Sequence, residues 1–249
     1  QLIGSRKSDG SLPDVSFFKL KSGSNLIDKG VDVGLPFSGN APDLGAFESD
    51  ETGNKYDIIV DVNGTGNYTT VQEALNSVPT LQQEETVIFI KNGIYKEKII
   101  VEQNKTNITL IGENRDNTIL TYDDYASKLN EENNEIGTFG SYSFAVDGSN
   151  FKAENITFSN TAGNVGQAVA VRLKGDKVIF NNCKLFGFQD TLYAHTANVR
   201  QYFKNCYIEG ATDFIFGSSV TVFDNCEIFS KEGGKYLTAA KTPQGNAYG

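Results

Sequence analysis

The 249-residue sequence contains no methionine and no tryptophan, and it has a single histidine, His195, and three cysteines. Three cysteines leave one unpaired after any single bridge, so they do not predict a disulfide-stapled scaffold. Their intervals of 23 and 20 residues are too wide for a zinc site built on closely spaced cysteine pairs, and one histidine adds a single ligand. We therefore predict no metal site and no cofactor.

Positive charge is also scarce, because 22 Lys and Arg stand against 31 Asp and Glu, a formal net charge of -9. A protein that binds a phosphate backbone needs a basic face, and no run of Lys and Arg exceeds two residues. No stretch approaches the roughly 20 apolar residues that a bilayer-spanning helix requires. The composition argues against a nucleic-acid partner and against a membrane span, and we expect a monomer.

Glycine (25), phenylalanine (17) and tyrosine (11) are abundant, and short apolar runs are punctuated by Asn and Gly, which favours β structure. One short helix is predicted, because Thr70 and Glu73 form a capping box and apolar residues recur at helical spacing until Pro79. After it we predict only strands, beginning with residues 86–90, 99–101, 107–111 and 118–121.

A repeat decides the predicted architecture. Residues 179–185, 202–208 and 222–228 share the pattern aromatic-x-Asn-Cys-x-aliphatic, and residues 151–158 are a looser copy. The asparagines of these copies are Asn155, Asn182, Asn205 and Asn225, at intervals of 27, 23 and 20 residues. Such intervals are typical of a solenoid with one coil per repeat. We predict an all-β, right-handed parallel β-helix with a short N-terminal capping helix, in which equivalent residues lie about 4.8 Å apart.

Three polar residues share this coil spacing: Gln167, Asp190 and Asp213 are separated by 23 and 23 residues, with Gln189 beside the middle one. If they stack on consecutive coils, the two carboxylates cannot both ionise cheaply, and the pKa of one is raised. One acid, one base and two amides would suit acid/base or nucleophilic chemistry. The alternative is a solvated polar ladder without function. The aromatic residues around both aspartates favour the functional interpretation.

Four segments, quoted in chain order, together resemble signature blocks of the pectin methylesterases. They are Gly93-Ile94-Tyr95-Lys96-Glu97, Gly166-Gln167-Ala168-Val169-Ala170-Val171, Gly187-Phe188-Gln189-Asp190-Thr191-Leu192-Tyr193 and Asp213-Phe214-Ile215-Phe216-Gly217. The resemblance covers about residues 56–249. It implies a secreted carboxylic ester hydrolase with a pectin-lyase-like solenoid that hydrolyses the C6 methyl ester of galacturonate units in cell-wall pectin, giving methanol and pectate.

The resemblance also implies a role for each matching residue. Asp213 would be the nucleophile, and Asp190 would protonate the departing methoxide and then activate water. The amides of Gln167 and Gln189 would hold the oxyanion of the tetrahedral intermediate. The expected substrate contacts are Thr138, Gln167, Phe188 and Phe214. Since pectin lies outside cells, the expected location is secreted, periplasmic or at the cell surface.

His195 follows the third block, and we expect a structural or subsite role for it rather than a catalytic one. Cys206 and Cys226 occupy positions that form a disulfide in some relatives, and stacked free thiols are the equally open alternative.

Residues 1–50 are expected to be the tail of an upstream β-helix-type domain or a linker, because residues 24–30 and 41–48 resemble the closing segment of secreted β-helix proteins that act on polysaccharides. A fifth family block, Leu-Gly-Arg-Pro-Trp, is expected near position 280 and is absent from the 249 residues. Its Arg would pair with the nucleophile, so we expect the chain to be C-terminally incomplete and weakly active or inactive by itself.

Two other functions stay open at this stage. A polygalacturonase-type glycoside hydrolase would also use paired aspartates, but on the glycosidic bond, and would release reducing ends. A non-catalytic pectin-binding β-helix would explain the missing Arg, and its behaviour would not depend on Asp213.

Overall fold

The computed structural model describes residues 20, 24, 26–35, 37, 39, 41–45 and 56–245. The chain divides into two compact units, residues 1–55 and 56–249. In the first unit, the amide of Gly30 donates to the carbonyl of Pro42 (2.6 Å), and the amide of Leu44 donates to that of Leu26 (2.9 Å). Much of residues 1–50 lies outside the described residues, Asn25 and residues 46–48 included, so the origin expected for this segment stays a prediction.

Within residues 56–245 the second unit has two short helices and many short strands. The helices are α1 (Val71–Ser77) and α2 (Gly137–Gly140). The strands, in chain order, are β1 (Ile58–Val60), β2 (Thr86–Ile90), β3 (Gly93–Lys96), β4 (Ile99–Val101), β5 (Ile108–Gly112), β6 (Thr118–Tyr122), β7 (Phe144–Val146), β8 (Phe151–Glu154), β9 (Thr157–Asn160), β10 (Val171–Leu173), β11 (Val178–Asn181), β12 (Lys184–Phe186), β13 (Leu192–Ala194), β14 (Arg200–Lys204), β15 (Tyr207–Gly210), β16 (Ile215–Gly217), β17 (Val220–Asp224), β18 (Glu227–Ser230) and β19 (Thr238–Ala240).

These strands form three parallel sheets that run along a solenoid of about seven turns. Sheet 1 has the order β1-β2-β5-β8-β11-β14-β17, sheet 2 the order β18-β15-β12-β9-β6-β3, and sheet 3 the order β19-β16-β13-β10-β7-β4. Each coil gives one strand to each sheet, so a strand pairs with its counterparts in the coils before and after it. The predicted parallel β-solenoid is confirmed, and β2 and β4 have the predicted bounds.

The repeated asparagines form one corner of the coil. Asn155, Asn182, Asn205 and Asn225 all have positive φ, between 51° and 56°. Asparagine tolerates this left-handed conformation better than other residues with a Cβ atom. The side-chain amide of Asn182 donates to Asn155 Oδ1 and that of Asn225 donates to Asn205 Oδ1, each at 2.7 Å. The repeat therefore marks a turn stabilised by amide bonds between coils.

Aromatic rings fill the interior beside this corner. Phe180, Phe203 and Phe223 are in register on three successive strands of sheet 1, with centroids 5.1 and 5.2 Å apart. The cysteines that follow the asparagines point the same way. All three are free thiols, and Cys206 Sγ donates to the carbonyl of Phe180 at 3.5 Å.

Helix α1 covers one end of the solenoid, as predicted. Thr70 caps it by accepting from the amide of Glu73. Glu97, which ends the first signature block, supplies a second cap, because its two carboxylate oxygens accept from the amides of Val71 and Gln72 at 2.9 and 3.0 Å. A carboxylate at a helix N-terminus also complements the helix dipole. The prediction that only strands follow α1 is wrong at one place, because α2 forms a single turn between β6 and β7.

The asparagine corner gives a test of what holds the coils together. Replacing Asn182 by Ala should lower the free energy of unfolding by about 1–2 kcal/mol, because Ala neither tolerates positive φ well nor bonds to Asn155. Asn182→Gly keeps the backbone conformation and should lose less. Urea denaturation at neutral pH measures both changes, with the neighbouring strand residue Asn181→Ala as control. Equal losses in all three variants would show that the corner contributes nothing specific.

Candidate active site

Two aspartates lie at the entrance to neighbouring strands of sheet 3. Asp190 precedes β13 and Asp213 precedes β16, and Leu192 pairs with Ile215 across these strands. The register is thus 23 residues, so the two aspartates occupy equivalent positions one coil apart, as predicted. Both have positive φ, 68° and 49°. Strained backbone of this kind in residues other than glycine clusters at functional sites.

The environment separates the two carboxyl groups. Asp190 is 6% exposed, whereas Asp213 is half-buried. Burial, with the nearby charge of Asp213 as a second cause, raises the pKa of Asp190 to about 7. Within residues 56–245 neither carboxyl group has a hydrogen-bond or ion-pair partner. A buried carboxyl group left without a partner beside a second carboxylate is the arrangement expected of an acid/base pair.

The two glutamines lie beside this pair, but not as the spacing predicted. Gln167 pairs with Gln189 in a parallel bridge, and the amide of Ala168 donates to the carbonyl of Gln189 at 3.1 Å. The register between β10 and β13 is 21 residues, since Val171 pairs with Leu192. The interval of 23 from Gln167 to Asp190 therefore exceeds the register by two residues, and Gln167 stacks on Gln189 rather than on Asp190.

The amide groups of both glutamines are available to a ligand. Gln167 is exposed and Gln189 is half-buried, and within residues 56–245 neither side chain makes a hydrogen bond. Gly166, which precedes Gln167, has φ of 103°, a conformation that glycine adopts without strain. Four polar side chains without partners thus come together at one edge of sheet 3.

One predicted substrate contact is wrong. Phe214 is 0% exposed and belongs to the hydrophobic core, so its ring cannot face a ligand. The reason is the turn at Asp213, which directs the next residue inward; Thr191, the equivalent residue one coil earlier, is also fully buried. The outward aromatic residue of this strand is Phe216, whose ring stacks on that of Tyr193 at 4.1 Å. The alternation of inward Ile215 and outward Phe216 along the strand was the signal for this.

Phe188 lies in the turn before Gln189 and is half-buried. The Nζ atom of Lys231 lies 4.4 Å from its ring centroid, and Lys231 also pairs with Glu209 at 2.6 Å. The carbonyl of Phe188 accepts from the amide of Ala211 at 2.8 Å. The ring is therefore fixed next to the turn that carries Asp190.

Thr138 lies on α2, in a segment that closes over sheet 3. The amide of Ala126 donates to the carbonyl of Gln167 and the amide of Gly137 donates to that of Ala126, both at 2.8 Å. This segment is thereby tied to the first glutamine. It encloses a cavity of about 710 Å³ whose lining includes Phe139, Tyr142 and Arg172. Arg172, one residue beyond the second signature block, was not singled out from the sequence.

His195 lies between this segment and the stacked aromatic pair. Its ring makes edge contacts with Phe139 (5.2 Å) and Tyr193 (4.8 Å). Burial first, and then the charges of Lys174 and Arg172, lower the pKa of His195. These contacts agree with the structural or subsite role expected for it.

Two searches of the described residues bear on cofactors and membranes. Across residues 56–245 and the described part of the first unit, no three His, Cys, Asp or Glu side chains cluster closely enough to hold a metal ion. The helices found there include none long and apolar enough to span a bilayer.

Titration of Asp190 should be visible in stability. Below pH 3.8 the carboxyl group is protonated in the folded and the unfolded chain alike. Between there and about pH 7 only the unfolded chain ionises, so the free energy of unfolding falls as the pH rises. Asp190→Asn cannot ionise, and it should therefore be more stable than the wild type at pH 8 by on the order of 2–4 kcal/mol, with no difference near pH 3.5.

Urea denaturation across this pH range measures the difference. Asp176→Asn is the matched control, because Arg200 holds the pKa of Asp176 down to about 2. That variant should be destabilised at pH 8. An Asp190→Asn protein less stable than the wild type at pH 8 would contradict the proposed burial of an uncompensated charge.

Comparison with known proteins gives a consistent result. The family model described as Pectinesterase matches residues 57–248. The probable pectinesterase/pectinesterase inhibitor 58 of Arabidopsis thaliana is 39% identical over 215 residues, which are 86% of this chain and 36% of that protein. Pectinesterase 31 of the same plant is 43% identical over 187 residues, 73% of this chain and 58% of that protein. The chain thus spans about a third to three fifths of the length of these relatives.

Solved structures give the same picture. The pectin methylesterase from carrot is 38% identical with a TM-score of 0.70, covering 81% of this chain and 62% of the carrot chain. The enzyme PemA from Erwinia chrysanthemi is 29% identical with a TM-score of 0.71, covering 78% and 63%. A further similar structure, 30% identical, is titled a pectin methylesterase in complex with a hexasaccharide.

Proposed function

The chain belongs to the pectinesterase family, and from that premise we propose that it hydrolyses the C6 methyl ester of galacturonate units in pectin. The observation that carries the proposal is the pair of stacked aspartates without partners, of which Asp190 has a pKa raised to about 7. Near neutral pH one carboxyl group of such a pair can hold a proton while the other attacks.

The first half of the proposed reaction forms an acyl-enzyme. A carboxylate oxygen of Asp213 attacks the ester carbonyl carbon, and the carbonyl oxygen becomes an oxyanion. The side-chain amides of Gln167 and Gln189 are the donors for it, since within residues 56–245 they have no other bond to make. The intermediate collapses, the bond to methoxide breaks, and the proton of Asp190 passes to methoxide to give methanol. Asp213 is left in an anhydride with the sugar carboxyl.

The second half restores the enzyme. Asp190, now ionised, takes a proton from a water molecule whose oxygen attacks the anhydride carbonyl. The anhydride then breaks to release a galacturonate carboxylic acid and the Asp213 carboxylate. The sum is one ester and one water converted into one acid and one methanol, with both aspartates returned to their starting states.

The outer face of sheet 3 suits a polysaccharide. Tyr193 and Phe216 stack side by side along the solenoid axis, and Phe139, 44% exposed, continues toward the cavity by α2. Flat aromatic faces pack against sugar rings, because both present apolar surface with polar edges. Thr138, Phe188 and Gln167 would border this groove. The hexasaccharide of the related structure supports an oligosaccharide ligand. A pectin substrate in turn supports a location outside the cell or at its surface.

Removal of the nucleophile is the decisive test. In the full-length natural protein, Asp213→Ala should reduce methanol release from highly methylated pectin by about 10³-fold or more, because no other group can form the acyl-enzyme. Asp224→Ala is the matched control, since Asp224 lies one coil further on the outer face of sheet 1. Folding of each variant is checked by circular dichroism.

The other outcomes separate the alternatives. Reducing ends in place of methanol would identify a glycoside hydrolase that uses the same aspartates. Pectin binding without either product, unchanged in Asp213→Ala, would identify a non-catalytic binding solenoid.

The rate should also report the Asp190 proton. The first half-reaction needs protonated Asp190, so kcat/KM should fall as the pH rises through about 7. In Asp213→Asn the neighbouring charge is gone, and an infrared titration should show Asp190 losing its proton at lower pH. Because burial is the larger cause, the pKa should stay above the ordinary value of 3.8. An unchanged Asp190 titration would mean that the two groups do not interact.

A further inference from the structure

Arg172 is buried on the outer face of sheet 3, where strands usually present side chains to solvent or substrate. It lies on β10, in register with Ala145 and Tyr193, and is 2% exposed. Its guanidinium group lies between two aromatic rings, 4.0 Å from the centroid of Phe139 and 4.3 Å from that of Tyr142. Both rings belong to residues 137–142, the segment we call the lobe.

The polar contacts of Arg172 join the lobe to the sheet. One terminal nitrogen donates to the carbonyl of Phe139 and the other to Asp147 Oδ1, each at 3.0 Å. The Nε atom is buried and has no hydrogen-bond partner among the described residues. A buried charge with an unsatisfied donor is a poor stabilising device, because apolar residues of similar volume often serve a core as well or better. Its retention calls for another explanation.

The lobe has few other anchors. Helix α2 is one turn long, lacks a side-chain cap, and buries none of its four residues. Ser141, fully buried, donates its hydroxyl back to the carbonyl of Thr138 at 2.9 Å. The position of Thr138 and Phe139 relative to sheet 3 therefore depends on the guanidinium that is packed between the rings and bonded to the lobe backbone.

We propose that Arg172 is a positioning residue that holds the lobe beside the groove and so sets the affinity for the saccharide. This inference rests on the proposed function. Arg172 is too buried to contact a sugar, and it acts through Phe139 and Thr138. The lobe lies away from Asp190 and Asp213 along the solenoid, so it contacts sugar units other than the reacting one. Binding of that kind is equal in the ground state and the transition state, and it changes KM rather than kcat.

The test compares Arg172→Met with Arg172→Lys in the full-length protein. Arg172→Met should raise KM for methylated pectin about tenfold, the scale of one lost charge-assisted hydrogen bond. We expect kcat to change less than about twofold and its pH profile to stay the same. Lys cannot reproduce the planar group between two rings or its two bonds, so Arg172→Lys should not restore KM. Lys174→Met is the matched control, because Lys174 pairs with the same Asp147 at 3.2 Å but makes no bond to the lobe.

Amide hydrogen exchange provides a readout that does not need activity. Exchange should rise at residues 137–142 in Arg172→Met and stay unchanged in β7, β10 and β13. If the wild type releases no methanol, the proposed function fails, and this measurement alone decides whether Arg172 positions the lobe. If Arg172→Met does not fold, Asp147→Asn removes one of its partners and should give the same pattern with a smaller amplitude.

Several results would overturn the inference. One is an unchanged KM together with unchanged exchange in the lobe. Another is a parallel loss of kcat with exchange rising across all three strands, which would indicate that Arg172 supports the solenoid in general. A full restoration of KM by Arg172→Lys would show that charge alone, and not the guanidinium between the rings, is what matters.

Discussion

The structure depends on the parallel hydrogen-bonded register between successive coils. Once β13 pairs with β16 so that Leu192 faces Ile215, every residue of one coil has a fixed neighbour in the next. Asp190 and Asp213 are then held one strand spacing apart, about 4.8 Å, whatever their side chains prefer. The solenoid can therefore impose on two carboxyl groups a proximity that they would avoid in a flexible loop. The free energy for this comes from the many backbone bonds and buried rings of the neighbouring coils.

The same local conformation serves two purposes at two corners of the coil. At the asparagine corner, residues with positive φ satisfy one another through amide bonds such as that from Asn182 to Asn155. At the aspartate corner, Asp190 and Asp213 have the same sign of φ, but carboxylates cannot donate to each other, so the column stays unsatisfied. A turn that is a stabilising ladder with amides thus becomes a reactive pair with acids. Burial adds to this, because it disfavours the charged form of Asp190 more strongly than that of its half-exposed neighbour.

Sequence reasoning succeeded where the register is visible in the repeat. The asparagine and cysteine copies indicated the coil, and the interval of 23 residues placed Asp213 on Asp190 because both follow the turn at the same distance. It failed for Gln167, where the coil is shorter by two residues than the interval assumed. It also failed for Phe214, since a left-handed turn breaks the alternation of strand faces and only the residues beyond it resume the pattern. Helix α2 could not be foreseen, because it buries no residue and so leaves no apolar periodicity in the sequence.

The groove and the aspartates draw on different parts of the fold. The aspartates depend on the register of sheet 3, which every coil maintains. The lobe is an excursion from a coil, so the register gives it no defined position, and its attachment has to come from side chains. A planar cation between two rings meets that need well, because it fixes both distance and orientation while its terminal nitrogens reach the lobe backbone and Asp147. Affinity for the polymer can therefore vary through residues of the lobe while the geometry of the reacting groups, fixed by the solenoid itself, stays the same.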